Sequence, residues 1–191
     1  MKVLALDLMG VIAVQKKVSF PKQDYKKSDN EWKRLQKTAI NKICNGLISE
    51  RELMQKLELK EEEITKVLDS MILDQDAREL IKSAKEKGMT TCLLSDHATR
   101  WAKYLLGKFE IELDYLVISE AIKSRKPNKR IYEEVPRVTR AKPEEILFVD
   151  DRALNLEAAR ELGFNCVLMQ RDERECFEPS VKRLGEVAGM L

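Results

Sequence analysis

VLALDLMGVIA, residues 3–13, opens the chain with four apolar residues that lead straight to an acid, Asp7, and then through Leu8 and Met9 to Gly10. A short continuous apolar run, rather than an alternating one, is the pattern of a strand covered on both faces. Four later stretches repeat it: TCLL (91–94), YLVI (115–118), ILFV (146–149) and CVLM (166–169). Helical patterns separate most of them. Ala77, Leu80, Ile81 and Ala84 share one helix face and Gly88 follows as a stop, and NLEAARELG (155–163) ends the same way at Gly163. Strand and helix in alternation predict an α/β fold, a parallel sheet with helices on both faces.

The alternation fails once. Between Ala13 and Asp76 the sequence carries no strand pattern and three helical ones. Trp32, Leu35, Ala39 and Ile43 recur at helical spacing; Ser49 and Glu52 form a capping box ahead of Leu53, Met54 and Leu57; Ile64, Val67, Leu68, Met71 and Ile72 follow the i, i+3, i+4 rule. The expected organisation is a core of residues 1–13 and 76–191 with a helical cap of residues 14–75 inserted into it. The final stretch, PSVKRLGEVAGML (179–191), reads as a terminal helix.

Composition bounds the function. The 191 residues include 43% hydrophobic and 36% charged side chains, a globular composition with a heavily charged surface. Basic and acidic residues nearly cancel, at a formal net charge of +2, so no basic field points to nucleic acid. No apolar run approaches the roughly 20 residues that span a bilayer, so no membrane partner is expected. The N-terminus is too short and too early in acid for a signal peptide. Cys44, Cys92, Cys166 and Cys176 show no C-x-x-C spacing and read as free thiols of a reduced, cytoplasmic protein.

In an open parallel sheet, ligands bind beyond the carboxyl ends of the strands. The first run ends in Asp7, the second in Ser95-Asp96-His97, and the fourth in Asp150-Asp151; SRKPNKRIY (124–132), after the third, carries Lys126. Taken singly, each has an ordinary structural use: Ser95 and the Asp150-Asp151 pair suit helix capping, and a lone lysine suits solvent. Together, clustered acids repel one another unless a hard divalent cation joins them. Mg²⁺ fits, since it takes oxygen ligands and keeps substrate phosphate in its shell.

These stretches resemble the motifs of the haloacid dehalogenase superfamily, whose members are mostly Mg²⁺-dependent phosphohydrolases. LALDLMGVI looks like its first motif, CLLSD the second, SRKPNKRIY the third and ILFVDDRALNLEAARELG the fourth. Within the superfamily the chain is most similar to the group that includes sugar-phosphate phosphatases and the N-terminal domain of soluble epoxide hydrolase. The resemblance implies a Rossmann-like sheet of strand order 3-2-1-4-5. It also implies Asp7 as a nucleophile that forms an aspartyl-phosphate, and Ser95 and Lys126 as catalytic phosphate ligands. Asp96 and His97 would lie beside the substrate. Mg²⁺ would be held by Asp7, Asp150, Asp151 and the backbone carbonyl of Met9, with a small phosphorylated molecule as substrate.

Met9 departs from that pattern. Phosphatases of the family carry a second Asp two residues after the nucleophile, which protonates the leaving oxygen and then activates water; a thioether does neither. The Asp150-Asp151 pair argues against the family's metal-free dehalogenases. A phosphatase short of its acid and a catalytically weak phospho-ligand binding protein both stay open. His97, the only histidine, reads as a capping or surface residue or as a substitute acid. Lys16, Lys17, Lys22, Lys26, Lys27, Lys33 and Arg34, set against Asp24, Asp29 and Glu31, read as an attraction for an anionic substrate or as a solvated face.

Overall fold

β1 (Val3–Leu6), buried along its whole length, lies inside a six-stranded sheet. A computed structural model describes residues 1–15, 28–171 and 175–191. After β1 the chain forms β2 (Ala13–Gln15), three helices α1 (Asp29–Cys44), α2 (Glu50–Leu57) and α3 (Glu61–Asp69), and then β3 (Met71–Leu73). Next come α4 (Ala77–Glu86), β4 (Thr90–Ser95), α5 (Thr99–Lys108), β5 (Tyr115–Ile118), the short α6 (Ser119–Ile122) and α7 (Lys129–Thr139). The chain closes with β6 (Ile146–Asp150), α8 (Ala153–Glu161), β7 (Asn165–Met169) and β8 (Ser180–Val181).

The sheet order is β5-β4-β1-β6-β7-β8, and every pairing in it is parallel. For the strands read from sequence this is the expected order 3-2-1-4-5, extended by one edge strand. The period of two along each strand divides the core into two layers. Leu4, Leu6, Leu93, Leu147, Val149, Val167 and Met169 face the layer built with α4 and α5. Val3, Ala5, Cys92, Leu94, Ile146, Phe148, Cys166 and Leu168 face the layer built with α7 and α8. Both faces are covered, which is why the runs are continuous rather than alternating.

Two sequence expectations change. The stretch without strand signal is flanked by a two-stranded antiparallel ribbon, β2 with β3, where the chain leaves and rejoins the sheet. Met71 and Ile72 continue the helical pattern of α3 on paper, but α3 ends at Asp69 and Ser70 donates its hydroxyl to the Val67 carbonyl at 2.6 Å. Three-residue strands are too short to show a period. The C-terminal stretch is not an α-helix: Ser180–Val181 pair with β7, and Leu184–Met190 form 3₁₀ turns. Gly185 and Gly189 lower its α-helical propensity, while Leu184 and Val187 pack into the α4 layer. The capping box read at Ser49 and Glu52 forms at the start of α2, and a second one, Ser28 with Glu31, opens α1. No helix among the described residues is long and apolar enough to cross a membrane.

Candidate active site

Parallel pairing sends the carboxyl ends of β1, β4 and β6 to one edge. Asp7 follows β1 directly and donates its N–H to the Val149 carbonyl at 3.0 Å. Ser95 closes β4, Asp150 closes β6, and Lys126 sits in the loop between α6 and α7. Asp7, Met9, Ser95, Asp96, Lys126 and Asp151 line one cleft of about 570 Å³. Asp150 lies beneath it, fully buried.

Lys126 organises the acids. Its ammonium is 2.6 Å from Asp150 Oδ2 and 2.9 Å from Asp7 Oδ1, and it donates to the Leu94 carbonyl at 3.0 Å, so its three N–H donors are all used. Burial works against its charge, but Asp150 and Asp7 outweigh that and raise its pKa. One ammonium does not balance three carboxylates. Burial, reinforced by Asp150, pushes Asp7 up to about 7 against the pull of Lys126. Burial and Asp150 likewise push Asp151 up to about 6.

The two adjacent acids differ in surroundings. Asp150 accepts from the Arg152 N–H at 2.9 Å, from Asn155 Nδ2 at 3.0 Å on each oxygen, and from Lys126. Asp151 is half-buried and faces the cleft. Asp7, Asp150 and Asp151 each still offer an oxygen within 4.8 Å of the others, near the span of about 4.2 Å across one octahedral Mg²⁺. The donor set is hard oxygen and suits a divalent cation of that kind. Gly10 allows this closeness. At φ +82° it takes a left-handed conformation, and a Cβ there would meet Asp151 Oδ2 at 2.1 Å.

Ser95 is 1% exposed, and its hydroxyl has no hydrogen-bond partner among the described residues. A buried unpaired hydroxyl is costly without a ligand to satisfy it. Asp96 accepts from the Lys126 N–H at 2.9 Å and from Arg125 Nε at 3.2 Å, which holds the Lys126 loop against β4. His97 does not line the cleft. Its Nδ1 accepts from the Ala98 N–H at 3.1 Å, its ring stands edge-on to Trp101 with centroids 5.8 Å apart, and burial pushes its pKa down to about 4. Of the basic residues noted before α1, Lys16, Lys17, Lys22, Lys26 and Lys27, with the acid Asp24, lie outside the described residues.

Sequence reading missed Asn155 and Arg171. Asn155 stands in the first turn of α8, five residues past Asp150, and its own carbonyl accepts from the Tyr132 hydroxyl at 2.9 Å. Arg171, beyond β7, donates to the Gly10 carbonyl at 2.7 Å and the Val11 carbonyl at 3.2 Å, and pairs with Asp74 at 2.5 Å. It ties the loop after Asp7 to the point where the chain rejoins the core, through partners no local pattern could reveal.

Replacing Lys126 by Met is expected to lower stability by about 3–5 kcal/mol at pH 8 in chelator, because buried carboxylates lose their counter-charge. Urea unfolding measures it. The deficit should shrink towards pH 5, where Asp7 and Asp151 take up protons; a deficit independent of pH would contradict this role for the lysine.

The family model described as haloacid dehalogenase-like hydrolase matches residues 1–163. The bifunctional epoxide hydrolase 2 of Rattus norvegicus is 33% identical over 95 residues, 45% of this chain and 17% of its own; the chain thus spans under a fifth of that relative's length. Among solved structures, a HAD phosphatase from Thermococcus onnurineus superposes with TM-score 0.79 at 16% identity, over 100% of this chain and 97% of its own. A HAD family enzyme from Bacteroides thetaiotaomicron superposes with TM-score 0.76 at 20% identity, over 91% of this chain and 96% of its own. With the family model covering nearly the whole chain and the fold shared, this chain belongs to the haloacid dehalogenase-like hydrolases.

Proposed function

We propose that the protein is a Mg²⁺-dependent phosphohydrolase acting on a small phosphate ester. The observation that carries this reading is the convergence of a carboxylate (Asp7), an unpartnered buried hydroxyl (Ser95), a buried ammonium (Lys126) and a second carboxylate (Asp151) on one cleft. In this reading Asp7 attacks phosphorus in line; an Asp7 O–P bond forms as the ester P–O bond breaks, and the leaving oxygen departs with its electron pair. Water then attacks phosphorus and frees the Asp7 carboxylate. Ser95 donates to a phosphoryl oxygen, and Lys126 holds Asp7 in place and offsets charge at the reacting group. Asp7, Asp150, Asp151 and the Met9 carbonyl would hold Mg²⁺, which would supply positive charge to the phosphoryl oxygens. The Bacteroides enzyme is known in complex with magnesium and inorganic phosphate, which supports the same ligands here. Helices α1–α3, with the residues on either side of them, serve in this reading as a cap over the cleft from about residue 14 to residue 75; Arg125 Nη1, which donates to Asn41 of α1 at 2.6 Å, joins them to the site.

A panel of phosphate esters assayed with and without Mg²⁺ tests the proposal. Met9 favours a second reading, phospho-ligand binding with little turnover; tight binding of a phosphorylated ligand with no hydrolysis of any ester would select it.

The carboxylates also set a pH dependence. Asp7 is raised from 3.8 to about 7, and Asp151 from 3.8 to about 6. An acid raised on folding stabilises the fold fully below its unfolded pKa and loses that contribution as pH rises through the folded one. In chelator this contribution is therefore expected to fall between about pH 4 and pH 7. Mg²⁺ needs the deprotonated ligands, so the gain in melting temperature from Mg²⁺ over chelator should grow from pH 5 to pH 8. A gain that is flat, or that shrinks as pH rises, would contradict this ligand set.

A further inference from the structure

A second groove opens beside the active cleft and shares Arg125, Lys126 and Arg152 with it. It has a volume of about 640 Å³ and is lined further by Asn45 at the end of α1 and by Lys123, Ser124 and Asn128 of the α6–α7 loop. No acid lines it. Arg125 is held by Asp96 and Asn41, but Lys123 and the Arg152 guanidinium make no ion pair with any described residue. Ser124 is 6% exposed, and its hydroxyl has no hydrogen-bond partner among the described residues. That repeats, next door, the condition of Ser95: a buried hydroxyl left without a partner. A buried donor left unmatched is costly, and Lys123 and Arg152, without an ion-pair partner among the described residues, add positive potential beside it. An anionic group satisfies both.

We propose that this groove is a subsite for a second anionic group of the substrate, so that the preferred substrates are phosphate esters carrying another phosphate, or a carboxylate, at a distance from the scissile one. The inference rests on the hydrolase reading and names the substrate class of that site. Ser124 and Lys123 would bind the distal anion, while Arg152 and Arg125, common to both clefts, would bridge the two anions. Arginine and a hydroxyl suit such a ligand, because charge-assisted hydrogen bonds to phosphate and carboxylate are the strong ones.

The test compares n-alkyl phosphates with the corresponding α,ω-alkanediol bisphosphates, from three to six carbons, in Mg²⁺. An ω-carboxyalkyl phosphate series forms a second arm that tells which anion is preferred. For at least one chain length, kcat/KM of a doubly anionic ester should exceed that of its monoanchored partner by about 10- to 100-fold, the size of one charge-assisted hydrogen bond. Lys123→Gln and Ser124→Ala should each lower that ratio, and Lys123→Arg should keep it. A ratio near one at every length overturns the subsite while hydrolysis stands. So does a high ratio that survives both Lys123→Gln and Ser124→Ala. If no ester, p-nitrophenyl phosphate included, is turned over, the hydrolase reading fails by itself, and calorimetric titration with the same pairs decides the subsite. Tighter binding of the doubly anionic member, weakened by Lys123→Gln, upholds it; equal affinities or no binding overturn it.

Discussion

Asp7→Asn is expected to drop hydrolysis of every ester below about one part in 10⁴ of the wild-type rate, the scale on which loss of a covalent nucleophile acts. An amide is no nucleophile at phosphorus. The variant should nonetheless fold at least as well as the parent. Asp7 is one of three carboxylates that share a single buried ammonium, and burial already disfavours its charge enough to raise its pKa to about 7. Replacing it with a neutral isostere relieves that crowding, so melting in chelator at pH 8 should be unchanged or higher, while the gain from Mg²⁺ should fall. The checks are a progress curve with an aryl phosphate and paired melts with Mg²⁺ and EDTA. Undiminished turnover in Asp7→Asn, or in wild type with excess chelator, would overturn the assignment of nucleophile and metal together. An inactive variant that has also unfolded would show that Asp7 is structural.

Met9→Asp is expected to raise kcat/KM for an alkyl phosphate by up to about 10²–10⁴-fold, the range of general acid–base help, with much less effect on an aryl phosphate. Met9 lines the cleft beside Asp7, where its half-buried side chain also packs against the core. It holds no proton to give. His97 does not replace it: the imidazole stands off the cleft, and with its pKa pushed down to about 4 it is neutral at pH 7. The wild-type protein should therefore strongly prefer aryl and acyl phosphates, whose leaving groups need no proton, and His97→Ala should leave the aryl-to-alkyl ratio as it was. The measurement is kcat/KM for one aryl and one alkyl ester across pH, in wild type, Met9→Asp and His97→Ala. Equal wild-type rates for the two esters, with no response to Met9→Asp, would place the proton source elsewhere. The substitution adds a fourth carboxylate to the cluster, so its benefit should need Mg²⁺ more strongly than wild-type turnover does.

Five strands of the main sheet and the gathering of acids at one edge were legible in residues 3–13, 91–94, 115–118, 146–149 and 166–169, because a strand buried on both faces writes an unbroken apolar run and parallel pairing aligns the carboxyl ends; the strand order came from the family resemblance. Helices α1–α4 and α8 announced themselves by period, and α2 also by its capping box at Ser49. Shorter elements did not. β2, β3 and β8 hold two or three residues each, below any period, and exist because a neighbouring strand offers unpaired backbone groups.

By itself the sequence determined which residue types stand at each strand end, since that follows from local pattern. Tertiary structure alone decided how they divide the work. Asp150 and Asp151 are the same residue in succession, yet strand pleating turns one inward to Lys126 and Asn155 and leaves the other at the cleft. His97, two residues past Ser95, is drawn away by packing against Trp101. Arg171 reaches the Gly10 carbonyl from the far end of the chain. Such partners are chosen by distance in space, and a periodicity that extends over a few residues carries no record of it.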